Sequence, residues 1–164
     1  MAADDRSDGG KKAQRGELLF VGSSGGHLAQ LLALESWYQE WERCWVTFAT
    51  PDARSHLINE DVVWAYHPTT RNVRNLIRNA GLARKVLRQR KVAAVITTGA
   101  GVALPFVMLA RLRGIPTIYI EVYDRLDTRT LTARLCGPFL SAMVVQWEEQ
   151  RRLYPEAVVV GNLL

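Results

Sequence analysis

The chain has 164 residues, 48% hydrophobic and 23% charged, a balance that fits one globular domain large enough to bury a core. Its two cysteines, Cys44 and Cys136, lie far apart without a CxxC partner, which argues against a disulfide scaffold or a zinc site and for a cytoplasmic setting. The formal net charge is +5, yet eight basic and no acidic residues fall between Arg71 and Lys91, so a local cationic face stands on an otherwise slightly acidic chain and calls for an anionic partner.

Met1 to Arg15 is polar and charged, without the apolar stretch of a signal peptide or anchor, and is expected to be a disordered tail. A single domain is expected over 16–164. Glu17 to Val21 reads as a first strand that stops at Gly22, followed by a helix from His27 to Trp41. Cys44 to Ala49 is a second strand, Asp52 to Asn59 a short helix, and Val62 to Tyr66 a third strand. In the basic segment, Val73, Leu76, Ile77, Ala80, Ala83 and Leu87 recur every three or four residues and predict a packed face with the arginines turned away. Gly81 marks a possible bend. Strands at Val92–Thr97, Thr117–Val122, Ala142–Gln146 and Val158–Val160 follow, with helices at Gly101–Arg113, Thr128–Leu135 and Trp147–Tyr154 between them. No apolar run approaches the roughly 20 residues of a membrane span; the longest, Val102 to Ala110, is closed by Arg111 and Arg113.

Strand and helix in this alternation predict an α/β fold, a Rossmann-like parallel sheet with helices on both faces. Ligands of such sheets bind at the carboxyl ends of the strands, which directs attention to the loops at Gly22, His67, Thr97, Glu121 and Gln146. Gly22-Ser23-Ser24-Gly25-Gly26-His27 ends a strand and opens a helix, a setting in which glycines allow close backbone approach and the helix terminus favours phosphate. It lacks the Gly-Lys-Ser/Thr of a Walker loop, and Ser24 stands where G-x-G-x-x-G needs glycine. Asp52 is a poor substitute for the ribose-binding acid, so no dinucleotide cofactor is expected.

His27 has two readings, a neutral general base or a histidine that caps the turn. Thr97-Thr98-Gly99-Ala100-Gly101 forms either a second anion-binding edge or a helix capped by Thr98. Glu121 either holds sugar hydroxyls or serves as a base, or it pairs with Arg125 or another arginine. Trp147 stacks on a sugar or packs in the core. The basic segment lacks the interleaved aromatics of a nucleic-acid surface, leaving an anionic membrane or a solvated face.

Gly25-Gly26-His27-Leu28, Thr98-Gly99-Ala100-Gly101, Ile118-Tyr119-Ile120-Glu121 and Val145-Gln146-Trp147-Glu148-Glu149 with Tyr154-Pro155 occur in this order. Together they resemble the anchor subunit of the eukaryotic dolichol-pyrophosphate UDP-GlcNAc transferase and its bacterial capsule and exopolysaccharide relatives, over nearly all of the chain after Gly16. The set is also similar to the acceptor-binding half of the MurG transferases. The resemblance implies the amino-terminal half of a GT-B glycosyltransferase, with a separate donor-binding subunit and the active site between the two. It implies a lipid-pyrophosphate-linked sugar acceptor on the cytoplasmic face of a membrane, with neither metal nor cofactor.

On that reading Ser23, Ser24, Gly25, Gly26, Thr98, Gly99 and Gln146 bind the acceptor and its phosphates, and His27 leads Glu121 as general base. Arg71, Arg74, Arg78, Arg84, Lys85 and Arg88 face anionic lipid. The eukaryotic members carry an amino-terminal membrane helix where this chain has a polar tail, so peripheral attachment through the basic helix and the Val102–Ala110 surface is expected. The alternative is a non-catalytic scaffold that positions a catalytic partner at the membrane. A stand-alone nucleotide-binding enzyme is disfavoured by the missing lysine and acid.

Overall fold

Near-continuous Val, Ile and Leu runs suit strands buried on both faces. In the computed structural model, which describes residues 16–163, seven such runs form one sheet. The strands are β1 (Glu17–Val21), β2 (Arg43–Phe48), β3 (Val62–Ala65), β4 (Val92–Thr97), β5 (Thr117–Ile120), β6 (Ala142–Val145) and β7 (Val158–Val159). They lie in the order β3-β2-β1-β4-β5-β6-β7, and each neighbouring pair is parallel. The helices are α1 (Gly26–Leu32), α2 (Glu35–Tyr38), α3 (Pro51–His56), α4 (Val73–Gln89), α5 (Ala103–Arg111) and α6 (Leu131–Cys136), with single 3-10 turns at Gly137–Phe139 and Glu148–Arg152. This is the Rossmann-like architecture expected from the alternation of elements. The tail expected at 1–15 lies outside the described residues.

The order reverses between β1 and β4, so the loops after these two strands flank the crevice where such sheets bind ligands. One side of the sheet is packed by Ala83, Val86 and Leu87 of α4 and Phe106 and Ala110 of α5, against Leu19, Val21, Val46 and Val95. On the other, Leu28, Leu31 and Tyr38 pack on Leu18, Phe20, Trp45 and Ile96. Both cysteines are buried, which pushes each thiol up to about 12 and makes them inert core residues.

Two expected helices differ in an instructive way. The helix expected over 27–41 is broken into α1 and α2 at Ala33–Leu34, where Leu34 N–H turns back to the Leu31 carbonyl at 3.2 Å. The break lets the Tyr38 ring seat against Phe20 and Trp45, with centroids 4.9 and 5.6 Å away. Helix α4 runs unbroken through Gly81, and the predicted face packs at Ala83 and Leu87 but not in its first two turns. Asn75, Asn79, Ala83, Val86 and Leu87 are buried, while Val73 and Ile77 are 68% and 67% exposed.

The asparagines turn inward because backbone atoms on the sheet side need partners. Asn79 Oδ1 accepts from Tyr66 N–H, its Nδ2 donates to Tyr66 O, both at 2.9 Å, and Asn75 Nδ2 donates to Pro68 O at 2.9 Å. Buried peptide groups left unpaired cost about as much as lost hydrogen bonds. Val73 and Ile77, two positions from these asparagines and so on the far side of the helix, are carried outward in consequence.

Candidate active site at the sheet switch point

The two glycine-bearing loops meet as expected at the carboxyl ends of β1 and β4. The Thr98 hydroxyl donates to the His27 carbonyl at 3.1 Å and so ties the second loop to the start of α1. Thr98 is not a helix cap: α5 begins later, after Val102, and Thr98 is fully buried. Gly99 N–H donates to Thr97 Oγ1 at 2.9 Å, and Gly99 and Ala100 both take positive φ, 102° and 65°.

Ser23 and Ser24 are half-exposed and Gly25 and Gly26 exposed. Gly25 has φ 72°, and nothing lies within 4 Å of a Cβ built on either glycine. The Gly25 amide donates to Asp52 Oδ2 at 3.2 Å. Asp52 therefore occupies the amide that a phosphate was expected to use. Its carboxyl is held below its ordinary range, first by the Thr50 hydroxyl and also by the Gly25 amide.

His27 is half-buried and its Nδ1 is buried with no hydrogen-bond partner among the described residues. Burial pushes its imidazole below the ordinary value, against the Thr98 backbone and the Asp124 carboxylate, which pull upward. The ring is therefore neutral at neutral pH, with an unsatisfied nitrogen beside an open loop.

Glu121 and Gln146 are placed differently from the expectation. Glu121 lies just past β5 and is 0% exposed. Tyr154 donates a short hydrogen bond to its Oε2, and Val122 N–H donates to Oε1 at 3.1 Å. Burial raises its pKa, outweighing the Tyr154 bond. The alternative ion pair with Arg125 does not form either; the ion pairs among the described residues lie elsewhere. Gln146 is 1% exposed; its Nε2 donates to Gln30 Oε1 and, at 3.0 Å, to the Glu121 carbonyl, and its Oε1 accepts from Leu163 N–H at 3.1 Å.

Gln30 and Gln150, which sequence reasoning passed over, complete this network. Gln30 Nε2 reaches back to the Gly26 carbonyl at 3.3 Å. Gln150 is fully buried, accepts from the amides of Gln146 and Trp147, and donates to the Val122 and Arg125 carbonyls. The network thus locks the loops after β5 and β6 to one another and to α1. Its only sequence signal is a glutamine in an otherwise apolar helix face, as at Gln30 beside Leu28 and Leu31. Trp147 is half-buried with its indole N–H donating to the Tyr123 carbonyl at 3.1 Å, a packing and anchoring role.

The six cations assigned to a membrane are all exposed. Arg90, by contrast, pairs with Glu17 at 3.1 Å and Asp61 at 2.6 Å and belongs to the amino-terminal ends of the strands. Among the described residues no helix is long and apolar enough to cross a membrane.

No family model matches the chain. It is 31% identical to the UDP-N-acetylglucosamine–N-acetylmuramyl-(pentapeptide) pyrophosphoryl-undecaprenol N-acetylglucosamine transferase of Prochlorococcus marinus (strain MIT 9303), across 88% of this chain and 43% of that protein. Among solved structures it is similar to Acinetobacter baumannii MurG, with a TM-score of 0.64 and 19% identity across 80% of this chain and 41% of the other. The UDP-N-acetylglucosamine 2-epimerase of Rickettsia bellii superposes with a TM-score of 0.68 at 14% identity, covering 90% and 45%. The chain thus spans less than half the length of these relatives, and the structural matches speak to a shared Rossmann-like fold.

Proposed function

Because this chain is a MurG-like homologue with a GT-B Rossmann-like fold, we propose that it is the acceptor-binding subunit of a two-component, inverting glycosyltransferase in polysaccharide biosynthesis. It binds a lipid-pyrophosphate-linked saccharide at the cytoplasmic face of a membrane, while a separate chain binds the nucleotide sugar. The sugar passes to the acceptor hydroxyl, and the nucleotide diphosphate leaves.

The observation that carries this reading is the buried, partnerless His27 Nδ1 beside the uncovered Gly25–Gly26 loop. Buried polar atoms are almost always partnered, so a ring nitrogen without a partner among the described residues is available to a substrate group. A neutral imidazole there takes the proton of the acceptor hydroxyl as that oxygen attacks the anomeric carbon. The glycine loop takes the pyrophosphate, with Ser23 and Ser24 as hydroxyl donors and displacement of Asp52 freeing the Gly25 amide. Glu121 and Gln146 act from beneath, holding the loops. Arg71, Arg74, Arg78, Arg84, Lys85 and Arg88, with the outward-turned Val73 and Ile77, give a mixed basic and apolar face of the kind that rests on anionic lipid.

The burial of Glu121 and Gln146 favours the second reading, a scaffold that positions a catalytic partner. One experiment separates the two. Transfer from UDP-N-acetylglucosamine is measured for the chain alone and with its donor-binding partner, then with His27→Asn. Little transfer alone, restoration by the partner, and a loss of about 10²- to 10⁴-fold in the variant are expected. Full activity without a partner sinks the two-component reading, and unchanged turnover in His27→Asn establishes the scaffold.

A further inference from the structure

Beyond β5 the chain buries Glu121 and Val122, then exposes Tyr123, Asp124 and Arg125. Arg125 N–H donates to the Val122 carbonyl at 3.2 Å, which closes a four-residue turn. The carbonyls of this stretch are held in turn from the loop after β6. Gln146 Nε2 donates to the Glu121 carbonyl at 3.0 Å, and the Trp147 indole to that of Tyr123 at 3.1 Å. Gln150 Nε2 divides its hydrogens between the Val122 and Arg125 carbonyls, at 2.9 and 3.1 Å. A surface loop that only reverses the chain meets water at such positions; here buried glutamines meet it and fix the turn.

The turn is fixed beside the crevice. Gln146 also bonds to Gln30, and Gln30 to the Gly26 carbonyl, so these links end at the start of α1, where His27 stands. Burial dominates the pKa of His27 and of Glu121, and the Arg125 guanidinium is a smaller influence that lowers each. Its charge is thus felt at both residues. Yet Arg125 takes no part in the ion pairs among the described residues, although Asp124 and Asp127 lie near it in the chain. Positive charge is otherwise scarce here. The glycine-bearing loops over residues 22–26 and 98–102 contain no lysine or arginine, and the Gly25 amide already serves Asp52. Amides at a helix start suit one phosphate. A guanidinium adds full charge and a planar fork that matches phosphate oxygens in pairs.

We propose that Arg125 is the diphosphate-binding cation of this site and grips a sugar-linked diphosphate together with the glycine loop; this rests on the acceptor reading above. Both substrates of that reaction carry such a group, and the test separates them. An arginine kept only for solubility needs no buried glutamine beneath its carbonyl.

Calorimetric titration of the full chain with inorganic pyrophosphate is the first measurement. Arg125→Gln should weaken binding about ten- to hundred-fold, the range for a hydrogen bond to a charged group. Arg125→Lys, which keeps the charge and loses the fork, should recover part of it. Arg113→Gln, on the segment entering β5 at the opposite end of the sheet, should change nothing. The second measurement is transfer by the chain reconstituted with its donor-binding partner, from UDP-N-acetylglucosamine to a pyrophosphoryl-undecaprenol-linked saccharide. In Arg125→Gln, a raised KM for the acceptor assigns the contact to the acceptor's diphosphate. A lower kcat, or a raised KM for the nucleotide sugar, assigns it to the donor's. A parent chain that binds no pyrophosphate overturns the proposal, as does equal binding by Arg125→Gln or an equal loss in Arg113→Gln. So does a reconstituted variant with kcat and both KM values unchanged. Arg125-dependent pyrophosphate binding in a pair that transfers no sugar keeps the cation and overturns the transferase reading instead.

Discussion

The loops after β1 and β4 have similar composition and opposite uses of glycine. In the first, Gly25 and Gly26 are exposed and a side chain on either would meet nothing within 4 Å. In the second, a Cβ on Gly99 would run into the Tyr119 ring, with Cζ at 2.9 Å, and one on Gly101 would press on Thr69. The first loop's glycines border open space, with Gly25 at a φ of 72° that favours glycine; the second loop keeps its glycines because its own chain leaves no room.

That contrast can be broken most directly at its two ends. Gly99→Ala should destabilise by about 3 kcal/mol or more, combining overpacking with a φ of 102° that alanine resists. Gly26→Ala, at an exposed helix start, should stay within about 0.5 kcal/mol while weakening pyrophosphate binding. Urea unfolding of the two variants checks the pair, and equal losses would remove the distinction between the loops.

The next effect concerns the supports beneath. The raised pKa of buried Glu121 means its carboxyl favours folding when protonated. That contribution is full below the ordinary carboxylate value and is lost as pH rises through the folded-state value. Glu121→Gln can still accept from Tyr154, so it should gain on the parent protein as pH rises. A relative Tm gain of about 2 °C or more between pH 4 and pH 8 is expected. His27 works in the other sense: its lowered pKa gives stability that is full above pH 6.5 and lost as pH falls through the folded value. His27→Asn should therefore flatten the acid side of the stability profile, as thermal scans from pH 5 to 8 would record.

The smallest change tests the open loop itself. Asp52→Asn removes an anion from the Gly25 amide, and inorganic pyrophosphate should bind a few-fold more tightly, with a weaker penalty at high salt. Unchanged or weaker binding by titration would mean that phosphate does not enter there.

Much of the fold was legible because hydrophobic periodicity and turn residues are local. All seven strands fall within a residue or two of where their Val- and Ile-rich runs predict them. The likeness to the GT-B transferases was legible for the same reason, from short motifs lying at the ends of those strands. Less of the site was legible. His27, Ser23 and Ser24 lie at the crevice, but Glu121 and Gln146, read as facing a ligand, are buried props.

Determined by the sequence alone were the alternation that forces a covered parallel sheet, and the glycines that permit its tight turns. Those are properties of residues next to one another in the chain. Only the tertiary structure decided which polar groups are buried and which apolar ones are left outside. Asn75 and Asn79 turned inward, Val73 and Ile77 outward, Asp52 capped a loop 27 residues away, and Gln30 met Gln146 across 116. A buried polar group is tolerated only where another element supplies its hydrogen bond. No periodicity along one element reveals that partner, and the folded sheet does.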